Sequence, residues 1–178
     1  MKANPFTLHN KQILITGASS GIGRAMAVEC AKAGAKLIIT GRNEERLNET
    51  FVQLEGEGHQ CFIADLNRVE DVEGLVNCVD VLDGVISNAG INKRQLTKYL
   101  KADDMQLILQ TNLISPILLV KNLLKRKKLN NCSSIVFTSS IAAFHSSVGD
   151  GVYSATKGGI YSFARVLALE LGGNKIRV

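Results

Sequence analysis

The sequence predicts an α/β chain: a doubly wound parallel sheet forming the middle of a three-layer αβα sandwich. Three observations lead there. Along the 178 residues, short β-branched and aliphatic runs alternate strictly with longer stretches of helical periodicity. The run cores, Leu37-Ile38-Ile39 and Val85-Ile86 among them, are continuously apolar, as strands covered on both faces are. Strand, helix and strand repeated in this way imply right-handed crossovers, and hence parallel neighbours.

Strands are expected at residues 12–16, 36–40, 59–63, 82–87 and 133–138, with helices at 22–33, 44–55, 68–79, 103–127 and 152–171. The first strand, Gln12-Ile13-Leu14-Ile15-Thr16, runs into Gly17-Ala18-Ser19-Ser20-Gly21-Ile22-Gly23 and then an alanine-rich helical pattern to Lys32. Strand, glycine turn and helix in that order are the context of a Rossmann-like dinucleotide fingerprint, here spaced Gly-x-x-x-Gly-x-Gly. Gly17 permits the tight turn, while Gly21 and Gly23 let a pyrophosphate approach backbone N–H groups at the positive helix end. A glycine turn without a ligand is the other reading. Asn43 before Glu44-Glu45, and Asn67 with Glu70 three residues on, read as helix N-caps. No repeat, linker or low-complexity segment interrupts the pattern, so residues 1–178 are expected to form one domain.

Two later positions carry chemistry. If Asn112 lies in the helix suggested by Met105 to Leu124, its carbonyl faces Pro116, which has no N–H to donate. That carbonyl should recruit another donor, most simply water; otherwise Pro116 merely kinks a core helix. Tyr153 and Lys157 stand four residues apart at the start of the last helical stretch, so they share a face one turn apart. A free phenol ionises near ~10 and works poorly at neutral pH, but a neighbouring cation favours the phenolate. Ser140 follows the apolar run Ile135-Val136-Phe137-Thr138 and could hold a carbonyl or alcohol oxygen against that phenol. The plain alternative is a helix that carries a tyrosine and a lysine by accident.

Composition narrows the classes. A chain that is 46% hydrophobic and 21% charged reads as soluble and globular. Its apolar runs are interrupted every few residues, so none is expected to approach the ~20 needed to span a bilayer. Met1 to Pro5 has one lysine and no hydrophobic stretch after it, which argues against a secretory signal and for the cytoplasm. Cys30, Cys61, Cys78 and Cys132 form no C-x-x-C pair, and His9, His59 and His145 join no ligand cluster. Neither a disulfide scaffold nor a metal site is indicated, and Cys30 and Cys61 read as buried thiols. His145 lies between Ser140 and Tyr153, as an exposed loop residue or a substrate contact. A net charge of +5 favours acidic partners, with the densest run at Lys125-Arg126-Lys127-Lys128. That run reads either as a solvated helix end or as a docking site for an acidic carrier. Nucleic acid is not indicated, because no aromatic residues interleave it.

Thr16 to Gly23, Asn88-Ala89-Gly90, Asn112, Ser140, Tyr153 and Lys157 together resemble the short-chain dehydrogenase/reductase family. The resemblance implies that Ser140 polarises a substrate carbonyl and that Tyr153 donates the proton in reduction. Lys157 would assist the phenol and hold the nicotinamide ribose, and Asn112 would anchor a water in a proton relay. Gly17, Ser19, Ser20, Gly21, Ile22 and Gly23 would hold the cofactor's pyrophosphate. At the end of the second strand a carboxylate would select NAD(H), but the chain has Gly41-Arg42, and a guanidinium suits a 2′-phosphate. The expected cofactor is therefore NADP(H) in preference to NAD(H). Asp65 and Leu66 would meet the adenine, with a helix cap as the other reading of Asp65, and Asn88, Ala89 and Gly90 would line the cofactor.

The family members most similar in pattern reduce 3-oxoacyl groups carried by acyl carrier protein, which would dock near the basic run. A sugar or polyol dehydrogenase is the alternative within enzymes; a catalytically silent nucleotide-binding fragment is the alternative outside them. The chain ends at Asn174-Lys175-Ile176-Arg177-Val178, where the family is entering its sixth strand. The fold is expected to stop there, without the Pro-Gly segment, helical lobe and seventh strand that follow in relatives. The helices at 103–127 and 152–171 are rich in apolar positions. In the second, Ile160, Phe163, Ala164, Leu167 and Leu171 are helically spaced, with Tyr161, Val166 and Ala168 on other faces. By resemblance this surface pairs two subunits in a homodimer or homotetramer; scattered exposed apolar residues are the plain reading.

Overall fold

The computed structural model describes residues 6–145 and 147–178, so the reading of Met1 to Pro5 lies outside the described residues. Five parallel strands form one sheet: β1 (Gln12–Thr16), β2 (Lys36–Gly41), β3 (Gln60–Ile63), β4 (Leu82–Ser87) and β5 (Leu129–Phe137), in the order β3-β2-β1-β4-β5. The chain winds outward from β1 to β3 and then crosses back to place β4 against the other side of β1. Strand order therefore reverses between β1 and β4, and ligands of open α/β sheets bind at the carboxyl ends of the strands at such a point.

Alternate residues of each strand face opposite layers. Ile13, Ile15, Leu37 and Ile39 pack with Ala27 and Ala31 of α1 (Gly21–Lys32) and Leu47 of α2 (Glu44–Phe51). Leu14, Ile38, Val85 and Ile135 pack on the other face, with α3 (Val69–Cys78), α5 (Ser115–Lys125) and α6 (Gly151–Leu171), through Leu75, Leu119, Leu123 and Leu167. This is the three-layer arrangement the continuously apolar strands require.

The expected helix at 103–127 is three pieces: α4 (Ala102–Leu109), a π turn (Gln110–Ile114) and α5. Pro116 removes one rung of the i→i−4 ladder, and the helix absorbs the defect by widening, so that Ser115 N–H bonds the Gln110 carbonyl. Within the rod Ala102–Lys125 an 18-residue window reaches a mean hydropathy of 1.5, enough to cross a membrane by length and composition alone, as the core helix of a globular domain also can be. Leu119, Val120 and Leu123 are instead buried in the sheet-facing core.

Other boundaries also differ. β5 starts four residues early because Leu129 pairs with Leu82 across a register shift that precedes Ser134, with Cys132 at φ +65° inside it. Such an irregularity carries no period-2 pattern to read. Asn43 caps α2 by accepting the Arg46 N–H at 2.8 Å, as expected. Asn67 does not cap α3, whose N-cap is Arg68. Its amide bonds Thr111 Oγ1 at 3.0 Å and accepts from Ser115 Oγ at 3.0 Å, tying the β3–α3 loop to the π turn. Cys30 and Cys61 are only half-buried, with burial raising both thiols above their ordinary range. At the chain end Ile135 N–H donates to Arg177 O at 2.8 Å, and Arg177 N–H donates to Ser133 O at 3.0 Å. These bonds make an isolated parallel bridge between Ser134 and Arg177 beside β5.

Candidate active site

The strand ends at the switch point are braced together before any ligand is considered. Thr16 Oγ1 accepts the N–H groups of Asn88 at 3.0 Å and Ala89 at 3.1 Å, while Asn88 Oδ1 accepts from Thr138 Oγ1 at 3.1 Å. Asn88 thus joins the ends of β1, β4 and β5, and its side chain is committed to that brace. Gly17 adopts φ +66°, and a Cβ there would lie 2.8 Å from Ala89 Cα. At Gly23 a Cβ would overlap the Gly17 carbonyl oxygen and lie 2.6 Å from Asn88 Nδ2. It is the close-packing glycine between helix and turn.

Gly21 is the open one, at φ +54° with nothing within 4 Å of an added Cβ. Ser20, the N-cap of α1, is extended and places no side-chain oxygen on the first-turn amides. Uncapped amides at the positive end of a 12-residue helix, facing open space, fit an anion such as a pyrophosphate. Ile22 is exposed at the same end.

Next to this turn lies a cleft of about 270 Å³. Of the expected cofactor residues, Gly17, Ser19, Ser20, Gly41, Arg42 and Asp65 line it, together with Leu66, Ala89 and Gly90. Gly21, Ile22, Gly23 and Asn88 do not line it. Asp65 Oδ1 accepts the Asn67 N–H at 3.1 Å, closing the turn before α3 without capping that helix. Sequence reading missed Arg46, which also lines the cleft. The Asn43 cap was the available signal, since it places residue 46 in the first turn of α2 beside Arg42. Arg24 was missed too: its guanidinium donates to Ser19 O at 2.8 Å, Thr50 Oγ1 at 2.9 Å and Glu49 at 2.8 Å, holding the glycine turn against α2.

The remaining residues meet where β5 ends against α6. Lys157 Nζ donates to Thr138 O at 2.6 Å, and Ser139 Oγ donates to Lys157 O at 3.2 Å, stapling strand end to helix. Ser140 follows, half-buried; its Oγ accepts the Ala142 N–H at 3.1 Å and opens a short turn (Ile141–Ala143) that packs on α6. Tyr153 is half-buried in the first turns of α6, with the Lys157 ammonium 5.7 Å from its ring centroid. Lys157 is 5% exposed, and burial lowers its pKa below the ordinary lysine range. Among the described residues no carboxylate pairs with it.

Asn112 is buried in the π turn. Its Oδ1 accepts the Ile91 N–H at 2.8 Å, and its Nδ2 donates to Ile91 O at 2.8 Å and Thr156 Oγ1 at 3.3 Å. Gly90 lies between the two groups: a Cβ there would be 3.3 Å from Asn112 Oδ1 and 3.6 Å from Lys157 Nζ. The fold thus gathers Ser140, Tyr153, Lys157 and Asn112 around the β4 and β5 ends, beside the cleft. His145 is exposed in the intervening loop.

The family model described as short chain dehydrogenase matches residues 11–178. A mouse (Mus musculus) 3-oxoacyl-[acyl-carrier-protein] reductase is 36% identical over 173 residues, which is 95% of this chain and 72% of the relative. The structure superposes with a TM-score of 0.89 on a 3-ketoacyl-(acyl-carrier-protein) reductase from Brucella melitensis complexed with NADH, at 30% identity, covering 97% of this chain and 74% of that one. It also matches a short chain dehydrogenase from Burkholderia cenocepacia J2315 in complex with NADP, at 30% identity and a TM-score of 0.88, covering 96% and 72%.

Proposed function

The chain belongs to the short chain dehydrogenase family, and on that premise we propose that it is an NADP(H)-preferring reductase of 3-oxoacyl thioesters. The observation that carries the reading is the buried, carboxylate-free ammonium of Lys157 one turn from Tyr153, at the strand ends beside the cleft. A nicotinamide nucleotide bound there would supply the hydride. Gly17, Ser19, Ser20, Gly21 and Ile22 would hold its pyrophosphate, Asp65 and Leu66 its adenine, and Ala89, Gly90 and Lys157 its nicotinamide half. Arg42, joined by Arg46, would hold the 2′-phosphate with two cations where NAD(H) selection needs a carboxylate.

The protein's own part is binding and proton transfer. Ser140 and the Tyr153 hydroxyl hold the carbonyl oxygen, and Tyr153 donates its proton as the alkoxide develops. The Lys157 cation stabilises the phenolate left behind. Because burial lowers its pKa, the ammonium is also a readier proton donor than a solvated lysine. Between Ser140 and Asp150 the sequence has no acidic, lysine or arginine residue, and Ile141, Phe144 and Val148 are exposed. That surface suits an acyl chain and offers little to a polyol's hydroxyls.

Two parts of the reading concern partners. The exposed Tyr161, Val166 and Leu169 on α6 support a homodimer or homotetramer; Phe163 does not belong to that face, since it packs edge-on against Phe137 at 5.9 Å. Lys125–Lys128 sits at the strand-start edge, where Leu82 N–H bonds Lys128 O. Leu129 and Phe137 pair with Leu82 and Ser87, five residue steps apart on β4, which puts that edge about 17 Å from the end of β5 at ~3.3 Å per residue. An acidic carrier docked there would have to deliver its acyl group on a long arm, or to a neighbouring subunit.

Titration with NADPH and NADH tests the cofactor reading, and equal affinity of the parent for both would sink it. Arg42→Asp should weaken NADPH and improve NADH by comparison. Turnover of a 3-oxoacyl thioester against a polyol tests the substrate. Sedimentation of Val166→Glu/Leu169→Glu tests assembly, where an unchanged oligomer would exclude this face.

A further inference from the structure

Asp150 is buried at the start of α6 and takes no part in the chemistry described above. Aspartate at an N-cap ordinarily accepts a first-turn amide, yet this side chain caps nothing in α6. Its carboxylate instead accepts from Asn92 Nδ2 at 3.1 Å and Arg94 Nε at 3.1 Å. Beside it Gln95 N–H donates to Gly149 O at 2.9 Å. Three bonds therefore fasten residues 92–95 to the turn that launches Tyr153. The other end of the same segment is fastened by Asn112, which pairs with both the N–H and the carbonyl of Ile91.

Residues 91–95 have no regular structure of their own. They leave Gly90, beside the Lys157 ammonium, and span from the π turn to the head of α6. Lys93 Nζ and Gln95 Nε2 also donate to Asp104 of α4, at 2.7 and 2.9 Å, so without the clamp the segment would stay tied to α4 while the head of α6 could shift against it, and with it the phenol relative to the bound carbonyl. Misplacement of reacting groups by about 1 Å can lower a rate on the order of 10²-fold.

We propose that Asp150 is a positioning residue for the reaction: with Asn92 and Arg94 it clamps segment 91–95 to α6 and so sets where Tyr153 stands relative to Gly90 and Lys157. The proposal rests on Tyr153 being the proton donor. The clamp is asymmetric, since the Arg94 side chain is 69% exposed and that of Asp150 only 6%. Arg94 can therefore be removed from outside without opening the core, whereas removing Asp150 takes away the buried end.

The test is steady-state kinetics of the natural protein with NADPH and a 3-oxoacyl thioester, alongside NADPH affinity, thermal unfolding and amide hydrogen exchange. Asp150→Ala should lower kcat on the order of 10²-fold with KM and NADPH affinity within a few-fold. Arg94→Ala should lower kcat in the same direction, about tenfold, and Arg94→Lys should recover most of it. The double variant Asp150→Ala/Arg94→Ala should be no slower than Asp150→Ala, because both remove one clamp. Exchange at the Gln95 amide should rise in each. Unchanged kcat in Arg94→Ala, additive losses in the double variant, or a fall in NADPH affinity matching the fall in kcat would overturn the proposal. If Asp150→Ala does not fold, Arg94→Ala and its lysine rescue decide it. Parent-like turnover in Tyr153→Phe would overturn the proton-donor reading and this proposal with it; loss there, with full turnover in the clamp variants, would overturn the clamp alone.

Discussion

Gly23→Ala should destabilise the protein more than its single added methyl suggests. The new Cβ would overlap the Gly17 carbonyl oxygen and lie 2.6 Å from Asn88 Nδ2 and 2.8 Å from Gly17 C. Two of those atoms are backbone, and the third belongs to a side chain held by Thr16 and Thr138, so nothing nearby is a loose end that can swing away. Overpacking of this kind costs about 1–3 kcal/mol, and moving Asn88 aside forfeits hydrogen bonds worth about 1 kcal/mol each. A loss of about 3 kcal/mol follows, or roughly 6–12 °C in Tm for a chain of this size. Because the same shift moves the glycine turn away from the β4 end, NADPH affinity should fall with it. Urea and thermal unfolding by circular dichroism, with and without NADPH, measure both. Two glycines serve as references. Gly21→Ala meets nothing within 4 Å but sits at φ +54°, so it should cost only the left-handed penalty of about 1–2 kcal/mol. Gly151→Ala, at the exposed start of α6 with nothing within 4 Å, should be neutral or gain up to about 1 kcal/mol. Gly23→Ala unfolding at the parent's urea midpoint, or losing no more than Gly151→Ala, would refute the steric reasoning.

Tyr153→Phe keeps the ring and removes the transferable proton, so turnover should fall by orders of magnitude with NADPH binding largely kept; activity within a few-fold of the parent would make Tyr153 structural. Lys157 has a folded pKa below the unfolded lysine value of ~10.4. Between those two values the unfolded chain binds a proton that the folded chain has released, so this site makes stability rise with pH across that window. The stability of the parent relative to Lys157→Met should therefore increase as pH climbs from neutrality towards ~10.4, and urea titrations showing a flat or falling difference would contradict the burial argument. Asn112→Ala removes both partners of the half-buried Ile91 N–H and carbonyl and should cost about 1 kcal/mol by urea unfolding, whereas an unaffected midpoint would show that the Asn112–Ile91 pair contributes nothing.

What the sequence determined by itself was whatever depends on near neighbours. Strand cores such as Leu37-Ile38-Ile39 and Val85-Ile86 could be placed because strands covered on both faces are continuously apolar, and the Asn43 cap because a cap bonds three residues on. The four-residue spacing of Tyr153 and Lys157 put them one turn apart in any helix. Contacts between residues distant along the chain left no such mark. Strand order, the burial of the Lys157 ammonium and the gathering of Asn112 with Ile91 follow from where crossovers lay helices on the sheet. Gly21 and Gly23 are equivalent in the motif, yet one faces open space and the other packs against both the Gly17 carbonyl of its own turn and Asn88, more than sixty residues downstream. Asn67 has the spacing of a cap but bonds the π turn, and Asp150 stands at a cap position but bonds Asn92 and Arg94. A side chain's hydrogen-bonding capacity is local information; the partner that claims it is decided by whichever distant group packing brings within about 3 Å.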